Sequence, residues 1–98
     1  MAEQKFDAER LICRKIAKDP ACRWVFTLHA LDEMSRDMEP PCTQADIKHM
    51  LTNCQITWVE FKKDQLWRAV GKDLDGRVIT AVVAVFANEP RIKIITVF

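Results

Sequence analysis

Glycine and proline are scarce in this sequence, which contains two glycines and four prolines among 98 residues. Disordered and low-complexity segments are rich in these residues, so their scarcity argues against a disordered chain or a linker. An excess of either charge is also missing, because 15 basic residues face 14 acidic ones and leave a net charge of +1. Such a chain has no general attraction to nucleic acid, so binding of a polyanion would need a local basic patch.

Long apolar runs are absent as well. Residues 1–7 lack the hydrophobic core of a signal peptide, and the longest apolar stretch, residues 78–87, is about half as long as a membrane helix requires. None of the four cysteines belongs to a Cys-x-x-Cys motif, so the usual signature of a zinc ribbon or a thioredoxin-type site is missing. We therefore expect a cytoplasmic protein with reduced cysteines, no membrane contact, no metal and no cofactor.

The length and composition predict one domain over residues 1–98, since a hydrophobic fraction of 49% is ample for a small core. The domain divides into an N-terminal helix in residues 1–19, a short strand and two helices in residues 23–54, and an antiparallel meander in residues 55–98. Helices that precede a run of hairpin-connected strands are typical of an α+β fold. We expect the helices to pack on one face of a four-stranded antiparallel sheet.

Local signals set the boundaries of these elements. The N-terminal helix is predicted at residues 3–18 and ends before Pro20, because the residue before proline disfavours helical conformation. Thr43 and Asp46 have the spacing of a capping box at the start of a helix. The strands of the meander are predicted at residues 56–61, 66–72, 78–86 and 91–98, with turns at residues 62–65 and 73–76. The third of these strands is apolar almost throughout, as expected for burial on both faces.

Candidate chemistry is confined to the segment after the first strand. Read as one α-helix capped by Thr27, this segment places His29, Glu33 and Arg36 on one polar stripe at i, i+4 and i+7. The apolar side chains on the opposite side, expected to face a core, are Leu31, Met34 and Met38. A base, an acid and a fixed cation on one stripe are suited to proton transfer and phosphate binding. A solvated helix face with ordinary ion pairs is the alternative, and patterning alone favours it.

Four motifs in order resemble a known family. They read Phe-Thr-Leu-His-Ala-x-x-x-Met-x-Arg, Thr-x-x-Asp-Ile-x-x-x-Leu, Arg-Ala-Val-Gly-Lys-Asp-x-Asp-Gly-Arg and a terminal Ile-Ile-Thr-Val-Phe after a valine-rich strand. Together they resemble a group of small bacterial proteins classed as a domain of unknown function. That group is related to the barnase–EndoU–colicin–RelE-like superfamily of metal-independent ribonucleases. The resemblance covers residues 24–98.

The resemblance implies a RelE-like fold and an endoribonuclease that, as in many members of the superfamily, is the toxin of a toxin–antitoxin pair. The site residues it implies are His29, Arg36, Arg68 and Thr96. The chain departs from the family at two positions. Glu33 stands where members commonly have arginine, and Thr80 stands where they often have histidine.

Two hypotheses follow for the function. In the first, His29 serves as base or acid in RNA cleavage, and Glu33 either takes the complementary proton role or only pairs with His29. Arg36 and Arg68 hold the phosphate, and a cognate antitoxin neutralises the enzyme. Further RNA contacts are expected from Lys72, Arg77 and Trp67, with Trp58 as the alternative stacking ring and core packing as the alternative role of the tryptophans. In the second, the same fold is a non-catalytic module that binds a protein or nucleic acid. The sequence does not indicate the oligomeric state.

Overall fold

The computed structural model describes residues 6–60 and 66–98. Its helices are α1 (Asp7–Lys18), α2 (Leu28–Asp32) and α3 (Gln44–Asn53), and a π-helical turn (Glu33–Asp37) follows α2 directly. The predicted start of the first helix and the predicted turn at residues 62–65 lie outside the described residues. Within the part of the chain that is described, no helix has the length and apolar character needed to cross a membrane.

Five strands form one mixed sheet with the order β1-β5-β4-β3-β2. Their bounds are β1 (Arg23–Phe26), β2 (Gln55–Val59), β3 (Leu66–Lys72), β4 (Val78–Phe86) and β5 (Arg91–Val97). The last four pair antiparallel with their neighbours, but β1 pairs parallel with β5. The predicted short strand is present as Arg23–Phe26, but it joins the sheet as a parallel edge strand, so the prediction of a four-stranded antiparallel sheet is corrected. Local patterns could not show a pairing between segments so far apart in sequence.

Helices cover one face of the sheet, and the core lies between the two layers. Fully buried side chains of the strands include Ala69, Ala81, Val83, Ile92 and Ile94. The helices contribute Cys13, Ile16, Ile47, Met50 and Leu51 to the same cluster. Removal of this apolar surface from water, at about 25 cal/mol per Å², is the main force that holds the layers together.

The other face of the sheet is not covered by a helix of the described residues, and we call it the open face. Along β4, buried residues alternate with partly or fully exposed ones, apart from two consecutive buried residues, Val83 and Ala84. The prediction that this strand is buried on both faces is therefore wrong. Its continuous apolar sequence reflects a partly exposed open face with small and β-branched side chains.

Helix α3 is fixed at both ends. At its start, Asp46 N–H donates to Thr43 Oγ1 (3.1 Å), and Thr43 N–H donates to Asp46 Oδ2 (3.0 Å). This reciprocal pair confirms the predicted capping box. At its end, Asn53 Nδ2 donates to the Lys72 carbonyl oxygen (3.1 Å), and Lys72 N–H donates to Asn53 Oδ1 (3.0 Å). The helix is therefore attached to β3 by a two-bond side-chain clamp.

The segment after β1 is not a single α-helix. Its α-helical part ends at Asp32, and the chain continues as the π-helical turn. Because a π-turn contains more residues than an α-turn, the side chains after Glu33 are rotated away from their α-helical positions. Arg36 therefore does not align with His29, which corrects the predicted stripe. The apolar side does pack against the core as predicted, through Leu31, Met34 and Met38.

Candidate functional site

Thr27 joins the end of β1 to the start of α2 and attaches both to β5. Its N–H donates to the Ile94 carbonyl oxygen (3.1 Å), and its hydroxyl donates to the Ile95 carbonyl oxygen (3.0 Å). Thr27 Oγ1 also accepts a hydrogen bond from Ala30 N–H (3.0 Å), which confirms the predicted N-cap. As a result, α2 lies beside the C-terminal half of β5.

His29 and Glu33 form a pair beside the C-terminal half of β5, which β1 does not cover. His29 Nε2 lies 3.4 Å from Glu33 Oε1, and the same oxygen accepts a hydrogen bond of 3.0 Å from Val97 N–H. The Glu33 side chain is 17% exposed, whereas that of His29 is 70% exposed. The sheet therefore holds the carboxylate, and the carboxylate lies beside an imidazole that faces solvent.

Four residues are successive register partners across β5, β4, β3 and β2: Thr96, Val82, Arg68 and Trp58. Directly opposed residues on neighbouring strands project to the same face, so these four, which we call the site row, share the open face. Thr96 precedes Val97, whose N–H binds Glu33, so the row begins next to the His29–Glu33 pair. Because neighbouring strands lie about 4.8 Å apart, Arg68 is about 10 Å across the sheet from Thr96.

Arg68 is held between two aromatic rings. Its guanidinium carbon lies 5.8 Å from the centre of the Trp58 ring and 5.5 Å from that of the Phe98 ring. A cation–π contact of this kind contributes about 0.5–1 kcal/mol at an exposed position and restricts the arginine side chain. Both rings remain substantially exposed, with relative accessibilities of 43% for Trp58 and 55% for Phe98. The open face therefore presents a cation and two aromatic surfaces together.

Arg36 lies outside this arrangement. Its Nε is 3.6 Å from Asp32 Oδ1, and both side chains are mostly exposed. An ion pair of this kind at the surface contributes about 0–1 kcal/mol. Of the five residues predicted to be catalytic, the structure places His29, Glu33 and Thr96 at the C-terminal half of β5 and Arg68 in the same row as Thr96, whereas Arg36 pairs with Asp32.

Two of the three predicted RNA-binding residues have contacts within the fold. Trp67 is 8% exposed and packs on the helix-covered face, so its ring cannot stack on a base at the open face. Trp58, the alternative ring, is the exposed one. Arg77 is also engaged, because its Nε donates to Asp73 Oδ2 (3.0 Å) and its Nη1 donates to the Pro40 carbonyl oxygen (2.6 Å).

The third predicted RNA contact, Lys72, belongs to a set of basic strand residues, most of which the sequence motifs do not single out. The described strands contain no aspartate or glutamate, and their cationic residues are Arg23, Arg68, Lys72, Arg91 and Lys93. The register places Arg23 opposite Arg91, and Lys93 opposite Ala84, on the open face. The sequence shows that Arg91 and Lys93 alternate with apolar residues, but the face on which they lie follows only from the side of the sheet that the helices cover.

A cluster of carboxylates lies at the turn between β3 and β4. Asp46, Asp73 and Asp75 place oxygen atoms within 4.8 Å of one another, as cation ligands would be. However, Asp46 Oδ1 accepts from Leu74 N–H (3.2 Å), and Asp73 Oδ1 accepts from the N–H groups of Asp75 (3.0 Å) and Arg77 (2.8 Å). These bonds explain the cluster as part of the folded turn, and we assign no metal site to it.

A scan against protein-family models, a search of curated proteins and a search of solved structures each found no match for this chain. The resemblance inferred from the sequence motifs therefore stays a hypothesis. Because one fold supports many activities, the function has to be argued from the side chains of the site.

Proposed function

We propose that this protein is a metal-independent endoribonuclease of the toxin type, in which His29 transfers the protons. The observation that supports this proposal is the position of the His29–Glu33 pair, which Val97 N–H fixes at the β5 edge beside Thr96. The neighbouring strands carry cations and no carboxylates, an arrangement suited to a polyanionic substrate.

RNA cleavage without a metal uses the 2′-hydroxyl beside the scissile phosphate as nucleophile. A base removes its proton, the 2′-oxygen bonds to phosphorus, and the 5′-oxygen leaves with a proton, which yields a 2′,3′-cyclic phosphate and a 5′-hydroxyl. Histidine as a residue type exchanges protons near neutral pH, so the exposed His29 is assigned this transfer. Glu33 acts through His29 as a positioning residue, Arg68 binds the phosphate, and Thr96 offers a hydroxyl hydrogen bond.

A non-catalytic module that binds RNA or protein is the second candidate, and one observation favours it. Cleavage needs both a base and an acid, but the site row adds only an arginine and a threonine to the His29–Glu33 pair. Arginine stays protonated in proteins and cannot supply the second proton transfer. A module that only binds would need no such second group.

Cleavage of an end-labelled single-stranded RNA in the presence of EDTA tests the first candidate. We expect His29→Ala to reduce the rate by about 10²–10⁴-fold, the range for loss of an acid–base group. His49→Ala is the matched control, since His49 is an exposed histidine on α3, and it should cleave like the wild type. Wild-type cleavage by His29→Ala would overturn the assignment, and RNA binding by the wild type without cleavage would establish the second candidate.

The positioning role of Glu33 has its own readout. We expect Glu33→Gln to lower kcat and change its pH profile while KM stays unchanged, because the carboxylate supports His29 without contacting RNA. Glu33→Asp should restore part of kcat. A rise in KM with an unchanged kcat would show instead that Glu33 contributes to substrate binding.

Induced expression in bacteria tests the toxin role separately. We expect the wild type to arrest growth and degrade cellular RNA, and His29→Ala at the same protein level to do neither. In this proposal the cognate partner is an antitoxin protein. Equal harmlessness of both proteins would contradict the toxin role, whatever the purified protein does to RNA.

A further inference from the structure

The corner of the open face farthest from His29 along β5 holds two arginines in an unfavourable arrangement. Arg23 and Arg91 are direct register partners across β1 and β5. Like charges in this position repel each other. The ion pairs of the described residues include neither arginine, and Arg91 Nε is buried without a hydrogen-bond acceptor. An anion that binds between the two guanidinium groups would relieve both costs.

This corner also offers an aromatic surface and a cleft. The guanidinium carbon of Arg91 lies 4.2 Å from the centre of the Phe86 ring, and Phe86 is 38% exposed. A cleft of about 400 Å³ is lined by Val85, Phe86, Ala87, Asn88, Glu89 and Arg91. Glu89 is its only carboxylate and belongs to the exposed turn between β4 and β5. The corner therefore combines cations, a ring and space for a ligand.

The corner continues into the site row along one face. Lys93 stands in the register between them, opposite Ala84, and Arg68 with its two rings follows. Phe86 stands four positions after Val82 of the site row along β4, which corresponds to about 13 Å. Outside the strands, Glu60 borders the face after β2. Lys93 thus lies between two arginines that contact aromatic rings, Arg91 at the corner and Arg68 in the site row.

We propose that the open face binds a single-stranded polynucleotide that runs from the Arg23–Arg91–Phe86 corner to the site row. Stacking on exposed rings requires bases with free faces, which a single strand offers and a duplex does not. An acidic protein segment would satisfy the cations but would not use the rings. This inference deepens the proposed ribonuclease function and rests on it for the substrate at His29, but the binding can be tested independently of cleavage.

Fluorescence anisotropy with labelled single-stranded DNA, single-stranded RNA and duplex RNA of equal length tests the binding. Single-stranded DNA lacks the 2′-hydroxyl nucleophile, so it reports binding without cleavage. The variants are Arg91→Gln and Phe86→Leu, and the matched control is Lys15→Gln, which removes an exposed cation from α1. Poly-glutamate serves as the competitor that represents an acidic protein.

We expect Phe86→Leu to weaken single-strand binding by about 5-fold or more, as for loss of one base–aromatic stack. Arg91→Gln should weaken it as well, while thermal unfolding of the free protein is unchanged or occurs at higher temperature because the repulsion with Arg23 is removed. Lys15→Gln should bind like the wild type. Stronger binding to RNA than to DNA would identify RNA as the natural ligand.

Unchanged affinity in both Arg91→Gln and Phe86→Leu, with thermal unfolding that shows intact folding, would overturn the inference. Equal affinity for duplex RNA, or displacement by poly-glutamate at an equal charge concentration, would overturn it too and would indicate a simple polyanion site. If these variants still cleave RNA like the wild type, the ribonuclease proposal survives. If single strands bind at this corner but His29→Ala changes no cleavage, the ribonuclease proposal fails alone.

Discussion

Asp46 is a buried carboxylate whose two oxygens connect separate parts of the fold. Its Oδ2 accepts from the Thr43 N–H and hydroxyl groups, and its Oδ1 accepts from Leu74 N–H in the turn between β3 and β4. The hydrogen bond from the Thr43 backbone is the main cause that lowers the pKa of Asp46 from its ordinary value, while burial opposes it. The ionised form is therefore the one that the folded state prefers.

The pKa of Asp46 predicts part of the acid sensitivity of the fold. A carboxyl group with a lowered folded pKa contributes stability that is fully present above its unfolded pKa of about 3.9 and is lost as the pH falls through the folded value. We expect Asp46→Asn to lower the free energy of unfolding at pH 7 by about 1 kcal/mol, as for a lost cap. Its unfolding temperature should also fall less steeply below pH 4 than that of the wild type. Asp37→Asn, at an exposed position, should keep the wild-type pH profile, and a wild-type profile in Asp46→Asn would contradict the prediction.

Gly71 is a residue at which α3 closely approaches the sheet. An added Cβ would stand 2.9 Å from the Met50 carbonyl oxygen and 2.9 Å from Asn53 Oδ1. The helix cannot move away without weakening the clamp between Asn53 and Lys72. We expect Gly71→Ala to reduce the free energy of unfolding in urea by about 1–3 kcal/mol, the usual cost of overpacking.

The control for this prediction is Gly76→Asn. Gly76 has a φ of 86° and nothing within 4 Å of an added Cβ. Because asparagine adopts the left-handed conformation more readily than most residues, the loss at this position should be smaller than for Gly71→Ala. Equal losses at the two glycines would show that the close approach of α3 does not cause the loss of stability in Gly71→Ala.

At the scale of elements, the side chain of Thr27 links the start of α2 to β5. Thr27 Oγ1 donates to the Ile95 carbonyl oxygen and accepts from Ala30 N–H. Thr27→Val keeps the shape but removes both bonds, so we expect a loss of about 1–3 kcal/mol in the free energy of unfolding. Thr27→Ser should retain most of it. Thr57→Val, on the exposed side of β2, should stay within about 0.5 kcal/mol of the wild type, and an equal loss there would contradict the role of the cap.

The helices and strands also show where local sequence signals are sufficient to predict structure. The strands β3 and β4 have the predicted bounds, and the capping box opens α3, because each depends on residues close in sequence. The π-helical turn does not follow from such signals, since the apolar spacing of Leu31, Met34 and Met38 fits a continuous α-helix equally well. This change in turn size moves Arg36 away from His29. The predicted neighbours His29 and Glu33 do pair in the structure, whereas Arg36 pairs with Asp32.

At the scale of the whole molecule, the pairing of β1 with β5 sets where the charged side chains lie, and local sequence patterns do not predict this pairing. It places Arg23 beside Arg91 and leaves the C-terminal half of β5 free for α2 and Glu33. Both the Arg23–Arg91–Phe86 corner and the position of the His29–Glu33 pair thus depend on a contact between the two halves of the chain. The alternation of cations with apolar residues in the strands became interpretable only after the helices were assigned to the opposite face.

The distribution of charge predicts different salt responses for binding and for folding. The chain has a net charge of +1, so its fold gains little from added salt, whereas the open face concentrates strand cations. We expect single-strand affinity to fall as salt rises, with a slope in log–log coordinates that becomes about 0.7 shallower in Lys93→Gln, the value for one lost phosphate contact on a single strand. Binding titrations between about 50 and 300 mM salt, where this effect is large, measure the slope. Lys15→Gln removes the same charge from the helical layer, so an equal change of slope in that variant would show that the long-range field of the protein, and not the open face, attracts the strand.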